Sequence, residues 1–531
     1  MPMKRKPIQA MGAAFCALAI VFGSAAAQGS VAHAATASAP PYNITVGVGS
    51  SVSVVRFCWI SNGSAAGELQ IAKAGEVNNG AFPAGSTKQA STEKVTATEG
   101  VLDNPENTDH PVSSFQDASG NALPDEYSNK VTVGSLSPDT SYTYRVGDGT
   151  SWSPVYTFRT QSTAKGFSFA AFGDPQIGAS GNVANDQAGW AKTLNKVLSK
   201  FPAVNFLFSM GDQVNDYDHL VAQQNEYQAF FNPASASDYL QTHILAAFSG
   251  NHDFQMGKYY SFHYSQPNLS TLGQTQTNSV PDNNGDYWFR YGNTLFMVLE
   301  GNNFYDVSAH DSFLKQAIAA SPNAKWKVVS FHQAPYSEAN HDGATSSDDD
   351  VMFMRKNWTK LMDKYGVDVV LNGHDHYYTR SFQMYAGSPV NTVKTNQVTN
   401  PKGTVYFTLD SGSGSKYYKY NTTADHSFSA FGWQNNVPTY SIVKVTDGTF
   451  SVTTYSMSSD TPIDTYTIQK TAAAASPAGA SVSRVSAGTA SNPKTGDSGD
   501  NTAAVLAVAA GSLLLAGFCA AVIFRKKSAR G

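Results

Sequence analysis

Short apolar stretches divide the chain into two regions of different design. From about residue 40 to 160, apolar residues alternate with polar ones in stretches separated by Gly, Pro, Asn and Asp clusters, and this pattern predicts β-strands. The predicted strands include Val52–Ile60, Gly67–Ala72, Lys130–Val133 and Tyr142–Val146. This first region is therefore predicted to be all-β.

From about residue 166 continuous apolar runs replace the alternation. They lie at Phe167–Phe172, Val204–Met210, His243–Phe248, Thr294–Leu299, Lys327–Phe331 and Val367–Leu371. Stretches with helical periodicity lie at Asp186–Phe201, Ser312–Ala320 and Val351–Tyr365. This alternation predicts a layered α/β domain with a largely buried sheet, closed by the strands Tyr440–Val445, Phe450–Ser456 and Pro462–Ile468.

The start of the chain carries a targeting pattern. Residues 1–34 combine the basic run Lys4-Arg5-Lys6, a short apolar stretch and the ending Ala32-His33-Ala34, which predicts a secretory signal peptide cut near Ala34. A retained membrane anchor is the alternative, and the shortness of the apolar stretch argues against it. We therefore expect the body of the protein to be exported.

The other end has three consecutive parts, after a linker at 469–491 that is rich in Ala, Ser, Gly and Pro. The motif Asn492-Pro493-Lys494-Thr495-Gly496 precedes an apolar stretch from about Ala503 to Phe524 and a basic tail. Residues 492–531 thus resemble a Gram-positive cell-wall sorting signal, in which a sortase links the threonine to peptidoglycan, although Asn492 stands where that signal usually has Leu. A plain C-terminal membrane anchor is the alternative. Both place the body on the outer face of the cell, with membrane contact only through this segment.

The net charge and the cysteine content limit which partners and which disulfides can be expected. The formal net charge of −4 gives no general electrostatic reason to expect a nucleic-acid partner. Because Cys16 and Cys519 lie in the terminal segments, Cys58 is the one cysteine of the predicted exported body. We expect no intramolecular disulfide there, and we expect Cys58 to be a buried apolar residue.

Five motifs of metal-ligand residues each follow a predicted strand. They are Gly173-Asp174-Pro175-Gln176, Gly211-Asp212, Gly250-Asn251-His252-Asp253, Val329-Ser330-Phe331-His332 and Gly373-His374-Asp375-His376. Sites gather at the carboxyl ends of strands in open α/β sheets, so these loops are expected to converge. Their carboxylate, amide and imidazole groups suit Mn, Fe or Zn and are numerous enough for two adjacent ions. A lone Gly-Asp or His-x-His is common by chance, so the prediction rests on all five motifs in order.

In these motifs the chain resembles the calcineurin-like metallophosphoesterase superfamily, most closely the purple acid phosphatases, over about residues 40–468. The resemblance implies a multidomain fold, with a fibronectin type III-like β-sandwich at 40–160 and a four-layer α/β metallophosphoesterase domain at 165–468 built from two packed sheets flanked by helices. The ligands that it implies are Asp174 and His376 for one metal ion, Asn251, His332 and His374 for a second, and Asp212 as the bridge between them. It also implies that His252 faces the substrate and that Asp253 orients the imidazole of His252.

Two positions depart from the family pattern. Gln176 stands where many metallophosphoesterases have His, and its amide oxygen would be a weaker, neutral ligand for the first metal. Purple acid phosphatases have a Tyr three residues after the bridging Asp, where this chain has Asn215, and Tyr217 lies two residues further on. Gln176 and Tyr217 are therefore alternative ligands to complete the first site. Without a tyrosinate ligand we expect no purple Fe(III) colour.

The resemblance implies hydrolysis of a small phosphate ester by a metal-activated hydroxide, with His252 stabilising the transition state or protonating the departing alkoxide. His341, nine residues after His332, is a candidate substrate contact, and an exposed loop histidine is the alternative. Tyr378 and Arg380 match a family extension and are expected to be structural. The expected function is acid phosphatase-like hydrolysis of monoesters. The alternatives are a phosphodiesterase or nucleotidase with the same metal centre, and a surface adhesin with a relict site.

Overall fold

The computed structural model describes residues 39–99, 110–112, 123–217, 219–233, 238–254, 258–277, 280–281, 284–339 and 350–471. Within these ranges no helix has both the length and the apolar content needed to cross a bilayer. The predicted signal peptide, the sorting motif, the C-terminal apolar stretch and the candidate substrate contact His341 all lie outside the described residues.

Twenty-eight strands and six α-helices make up the described part of the chain. The first strands are Tyr42–Val48 (β1), Val55–Ser61 (β2), Glu68–Lys73 (β3), Thr87–Gln89 (β4), Ser91–Lys94 (β5), Ala97–Glu99 (β6), His110–Val112 (β7), Tyr127–Val133 (β8), Ser141–Gly147 (β9), Tyr156–Arg159 (β10), Phe167–Phe172 (β11), Phe206–Ser209 (β12), Leu245–Ala247 (β13) and Gln276–Thr277 (β14). The later strands are Val280–Pro281 (β15), Tyr287–Tyr291 (β16), Thr294–Val298 (β17), Trp326–Ser330 (β18), Val369–Asn372 (β19), Tyr378–Ser381 (β20), Met384–Tyr385 (β21), Ser388–Pro389 (β22), Gln397–Thr399 (β23), Val405–Thr408 (β24), Ser429–Trp433 (β25), Thr439–Val445 (β26), Thr449–Ser456 (β27) and Pro462–Gln469 (β28). The helices are Val183–Lys200 (α1), Leu220–Phe231 (α2), Tyr239–Thr242 (α3), Tyr259–His263 (α4), Val307–Ala320 (α5) and Asp350–Tyr365 (α6).

The larger sheet joins both regions of the sequence. Its order is β23-β28-β27-β26-β11-β12-β13-β1-β2-β8-β5, with β11, β12 and β13 parallel. The N-terminal strand β1 bonds to β13 through the pair Gly47 and Leu245, so the all-β region extends the sheet of the α/β region. A second N-terminal sheet, β10-β9-β3-β4, packs against β2, where the ring centroids of Phe57 and Tyr144 lie 4.8 Å apart. These two sheets confirm the predicted N-terminal β domain.

The second major sheet, β16-β17-β18-β19-β24-β20-β25, packs face to face with the first. Aromatic rings fill the space between them, as where Phe296 meets Phe169 at 5.5 Å and Phe206 at 5.7 Å between ring centroids. Helices cover both outer faces, with α1 and α2 on the larger sheet and α5 and α6 on the smaller one. The predicted α/β architecture, with two packed sheets between helices, is therefore observed.

The long helices follow from the spacing of their apolar residues. In α1 the buried residues Trp190, Leu194, Val197 and Leu198 lie on one face, and the side chain of Asn182 caps the first turn by accepting from the N–H of Asn185 at 3.0 Å. Helix α2 was not predicted, because its inward face includes buried polar residues that interrupt the apolar period. Its polar face turns out to organise the loops of the candidate site.

A buried ion pair joins the two major sheets. Arg380 on β20 donates to both carboxylate oxygens of Asp464 on β28, at 2.7 and 3.1 Å, and the hydroxyl of Tyr378 donates to the same carboxylate at 2.8 Å. The prediction that Tyr378 and Arg380 are structural is confirmed. Cys58 is fully buried, and its thiol donates to the carbonyl of Phe262 at 3.1 Å, in accord with its predicted core position.

Candidate metal centre

The predicted ligands converge because the strands that precede them end at one edge of the two sheets. Strands β11, β12 and β13 are parallel in the first sheet, and β18, β19 and β24 are parallel in the second. Each of the five motifs begins within a few residues of a strand end. The residues brought together are Asp174, Gln176, Asp212, Asn251, His252, His332, His374 and His376.

The backbone of these loops is strained where the ligands are presented. Gln176, Asp212, His374 and His376 have φ values of +33°, +42°, +74° and +39°. Non-glycine residues rarely adopt positive φ, and such strain clusters at functional sites. These four residues therefore hold conformations that local preference does not favour.

The glycine that begins three of the motifs leaves room for a ligand. A methyl group at Gly250 would overlap a carboxylate oxygen of Asp212, and one at Gly373 would overlap a carboxylate oxygen of Asp174. A methyl group at Gly211, whose φ is +92°, would overlap Nδ1 of His332. Glycine is thus required at all three positions by space, and at Gly211 also by its positive φ.

One group of donor atoms comes from Asn251, His332 and His374. The amide Oδ1 of Asn251 lies 3.1 Å from Nε2 of His332 and 3.0 Å from Nδ1 of His374. The Nδ1 of His332 lies 2.8 Å from the carbonyl of Met210. Because a carbonyl only accepts, that nitrogen carries the hydrogen, and the Nε2 atom is directed at the group of donors.

A second group of donor atoms comes from Asp174 and His376. The Nε2 of His376 lies 3.3 Å from a carboxylate oxygen of Asp174. Asp212 lies between the two groups, since its carboxylate is 3.2 Å from Nε2 of His332, and the donor atoms of Asp174, Asp212 and His332 all lie within 4.8 Å of one another. This placement of Asp212 is the one that a bridging ligand requires.

The electrostatics of the centre reflect carboxylates packed beside imidazoles away from water. Burial raises the pKa of Asp174 to about 7. Burial opposes the charged form of His332, but attraction to Asp212 and then to Asp174 raises its pKa to about 10. Burial likewise opposes ionisation of Asp212, and the charges of His332 and His252 outweigh it and lower its pKa. Burial and then the charge of Lys416 lower the pKa of His376 well below its usual value.

Metal ions fit this donor set. The Oε1 of Gln176 and the Nδ1 of His376 are buried and have no hydrogen-bond partner within the described ranges. Two carboxylates, an amide oxygen and three imidazoles meet within a few ångströms, which is the mixed oxygen and nitrogen chemistry that Mn, Fe and Zn accept.

His252 is oriented differently from the prediction. Its main-chain N–H donates to the carboxylate of Asp212 at 2.9 Å, and its ring Nδ1 donates to the carbonyl oxygen of Asn215. The prediction that Asp253 orients this ring is wrong, because the buried carboxylate of Asp253 instead accepts from the N–H groups of Gly250 and Gln213 and from the hydroxyl of Tyr227 at 3.0 Å. Asp253 therefore shapes the loop that presents Asn251 and His252.

Tyr217 packs against His252. Their rings meet edge to face, with centroids 5.3 Å apart. Gln176 reaches the centre, where its N–H donates to the carbonyl of Asp212 at 2.7 Å and its amide donates to the side chain of Asn215 at 3.3 Å. Of the two alternatives for completing the first site, the geometry favours Gln176.

Sequence reasoning missed a sixth loop, at 410–418. It follows β24, which was not among the predicted strands, and it begins with Asp410, a carboxyl whose pKa burial raises well above its usual value. Gly412 donates its N–H to the carbonyl of Asp174 at 3.2 Å, and the ring of Tyr418 lies 5.1 Å from that of His376. The rule that found the other loops, a polar turn after an apolar strand, applies equally to Val405–Thr408.

Two family models match the chain. Residues 167–378 match the calcineurin-like phosphoesterase family, and residues 41–160 match the purple acid phosphatase N-terminal domain. The chain thus contains a calcineurin-like phosphoesterase domain that follows a purple acid phosphatase N-terminal domain. All five ligand motifs, and the candidate His341, lie within the residues that match the calcineurin-like phosphoesterase family.

Similar proteins include both enzymes and relatives named as inactive. A nucleotide pyrophosphatase/phosphodiesterase of Hordeum vulgare is 25% identical over 53% of this chain and 78% of its own length. Probable inactive purple acid phosphatase 24 of Arabidopsis thaliana is 24% identical over 53% of this chain, which spans about half (48%) of that protein. A solved purple acid phosphatase from yellow lupin (Lupinus luteus) seeds shares the fold, with a TM-score of 0.61 and 16% identity over 81% of this chain and 74% of that one.

These matches support a hydrolase acting on phosphoester bonds, and the family together with the observed ligand group implies a dinuclear metal centre. The donor set suits several transition ions, among them Mn, Fe and Zn.

Proposed function

We propose that the metallophosphoesterase domain hydrolyses phosphate monoesters, using two metal ions held by the convergent side chains. The observation that carries this proposal is the spacing of 3.0–3.3 Å among donor atoms of Asn251, His332, His374, Asp212, Asp174 and His376. When bound, a pair of cations polarises phosphate oxygens and makes water a nucleophile near neutral pH. The protein side chains hold the two cations and transfer the proton.

Among the described residues, His252 is well placed to move a proton to or from the substrate. Its Nδ1 is committed to the carbonyl of Asn215 and its N–H to Asp212, so Nε2 is the nitrogen left for the substrate. During hydrolysis the oxygen of water forms a bond to phosphorus and the bond from phosphorus to the alcohol oxygen breaks. A protonated Nε2 donates its hydrogen to that departing oxygen, which keeps an alkoxide from being released.

Phosphodiester or nucleotide hydrolysis is the second candidate. The barley relative is named for nucleotide pyrophosphatase and phosphodiesterase activity, and the same donor set would serve either ester class. Because three relatives are named as probable inactive phosphatases, a surface adhesin with a relict site is the third alternative to be tested.

The test is hydrolysis of 4-nitrophenyl phosphate and of bis(4-nitrophenyl) phosphate by the purified protein, with elemental analysis of the same sample. We expect the monoester to be preferred, and both Asp212→Asn and His252→Ala to lower kcat by at least about a hundredfold, a size typical for loss of an acid–base group. His219→Ala is the matched control, because that side chain is 79% exposed and contacts Asp216 rather than a predicted metal ligand.

The two variants separate two roles. Asp212→Asn should lower both metal content and turnover, whereas His252→Ala should lower turnover with metal content retained. Unchanged hydrolysis in both variants, or absence of hydrolysis by a protein that retains two metals, contradicts the proposal. Binding to cells by such an inactive, metal-loaded protein would favour the adhesin.

We also propose that the protein is exported and attached to the outer surface of a Gram-positive cell, by a sortase and peptidoglycan. The support is the sequence of residues 1–34 and 492–531. Thr495→Ala should move the protein from the cell-wall fraction to the membrane fraction. An unchanged distribution would favour the plain membrane anchor.

A further inference from the structure

We propose that Lys416 binds a non-bridging oxygen of the substrate phosphate and makes the site prefer doubly charged monoesters to singly charged diesters. This inference rests on the proposed function and names the residue that sets its substrate class. It concerns the loop Ser411–Tyr418, which follows Asp410 and which none of the predicted motifs includes.

The loop is fixed directly onto the motif that carries Asp174. Ser411 donates its hydroxyl to the carbonyl of Asp174 at 3.1 Å. The hydroxyls of Ser413 and Ser415 both donate to the carbonyl of Pro175, the latter at 3.1 Å. Three alternating serines therefore hold the loop in place immediately before Lys416, so that this lysine extends from a positioned backbone.

The residues that follow Lys416 are fixed to His376, which supplies the second group of donor atoms together with Asp174. The N–H of Tyr418 donates to the carbonyl of His376 at 3.3 Å, and the two rings meet edge to face at 5.1 Å. The ammonium of Lys416 lies 4.9 Å from the centroid of the Tyr418 ring. Lys416 thus lies between two anchors, one on the Asp174 loop and one on His376, and its side chain is partly buried.

Within the described part of the chain Lys416 forms no ion pair with a carboxylate, and its ammonium interacts with the ring and the hydroxyl of Tyr418. A partly buried ammonium ion without a carboxylate partner has a favourable interaction available to an incoming anion. At neutral pH a phosphate monoester carries close to two negative charges and a diester carries one. The Coulomb attraction to one lysine is therefore about twice as large for the monoester.

The experiment compares Lys416→Met, Lys416→Arg and the control Lys419→Met in the full-length, metal-loaded protein. Lys419 lies in the same chain segment and is exposed, so its loss removes a charge without reaching the centre. Calorimetric binding of inorganic phosphate is measured beside hydrolysis of the nitrophenyl monoester and diester. Metal content and thermal melting are measured for every variant.

We expect Lys416→Met to weaken phosphate binding about tenfold and to raise KM for the monoester about tenfold, the size of one charge-assisted hydrogen bond. The KM for the diester should rise by less than about threefold, as expected for half the charge. Lys416→Arg should restore most of the binding, and Lys419→Met should resemble the wild type.

Unchanged phosphate binding in Lys416→Met, equal losses for both esters, or loss of metal from that variant would each overturn the inference. Absence of phosphate binding by the wild-type protein would overturn it as well. A wild-type protein that hydrolyses neither ester but binds phosphate in a Lys416-dependent way would leave the inference standing and remove the proposed function.

Discussion

The main-chain N–H of His374 donates to both carboxylate oxygens of Asp174, at 2.9 and 3.0 Å. The two residues are 200 positions apart, yet one ligand loop orients the principal ligand of another. Gly373 makes this approach possible, because any side chain there would overlap the carboxylate of Asp174. The geometry of the centre therefore depends on backbone contacts between motifs as well as on the ligands.

Gly373→Ala should remove activity although it changes no ligand. The added methyl group would force the carboxylate of Asp174 away from the N–H of His374, and displacing a buried backbone or carboxylate costs on the order of 1–3 kcal/mol. We expect kcat to fall at least about tenfold, with reduced retention of metal after dialysis. Elemental analysis and monoester hydrolysis measure the two effects.

Gly75→Ala is the matched control, because Gly75 lies in a 3₁₀ turn with no atom within 4 Å of an added methyl group. It should leave metal content, kcat and melting temperature unchanged. Wild-type metal retention in Gly373→Ala would show that the Asp174 carboxylate can move without loss of the site.

The loops of the centre were predictable because strand, glycine and ligand follow one another in the sequence. Strand β11 was predicted with its observed bounds, Phe167–Phe172, and strand β17 starts at Thr294 as predicted. An apolar run followed by Gly and a metal-ligand residue is a local signal. Parallel strands then bring such signals to one edge, so local information sufficed to predict the convergence of the motifs.

The parts of the fold and site that the sequence did not predict depend on main-chain atoms and on buried polar side chains. The group that accepts from His252 is the carbonyl of Asn215, and a carbonyl has no signature in the sequence. Helix α2 escaped prediction because Gln223 and Glu226 face inward to bind loop backbone, which breaks its apolar period. The loop that carries Lys416 is held by serine hydroxyls and backbone contacts. A lysine in the sequence gives no indication that its loop is held in this way.

Glu226 should make stability depend on pH. Its carboxylate accepts from the N–H groups of Asn215 and Asp216 at 2.8 and 2.7 Å, and burial raises its pKa from 4.5 to about 7. Between these two values the folded protein binds more protons than the unfolded chain does. Stability therefore falls as pH rises from about 4.5 to 7 and is not recovered above that range.

Glu226→Gln should flatten this dependence, because glutamine does not titrate. We expect the loss of stability between pH 5 and pH 8 to be about 2 kcal/mol smaller in the variant than in the wild type, measured by denaturant unfolding. The exposed Glu76→Gln is the control and should keep the wild-type slope. Parallel pH curves for the wild type and Glu226→Gln would contradict the prediction.

Gln176 should contribute to metal binding through its amide oxygen. That oxygen is buried and has no hydrogen-bond partner within the described ranges, whereas the amide N–H of the same side chain donates to Asn215 at 3.3 Å and is also lost in Gln176→Leu. Gln176→Leu should weaken retention of one of two metals by at least about tenfold, and Gln176→His should strengthen it. Dialysis followed by elemental analysis measures both, with the exposed Gln228→Leu as control. Equal retention in all three variants would mean that Gln176 is not a ligand.

Asp464 should stabilise the protein without taking part in hydrolysis. Its carboxylate on β28 binds Arg380 and Tyr378 of β20, with side chains only 5–6% exposed in the Arg380 pair, so the interaction joins the two major sheets away from water. Asp464→Asn leaves a buried guanidinium without its counter-charge, and breaking such a pair costs about 3 kcal/mol or more. Denaturant unfolding should show this loss while metal content stays at the wild-type level.

The exposed pair of Lys94 and Asp125 provides the comparison for Asp464. Each side chain is 47% exposed, so water already solvates both charges, and Asp125→Asn should leave the free energy of unfolding close to the wild-type value. If Asp464→Asn unfolded at the same denaturant concentration as Asp125→Asn, the buried pair would contribute orientation of β20 but no net stability. A large difference would show that the ion pair between the sheets stabilises the strand that directly follows His376, and hence the frame on which the last ligand motif is held.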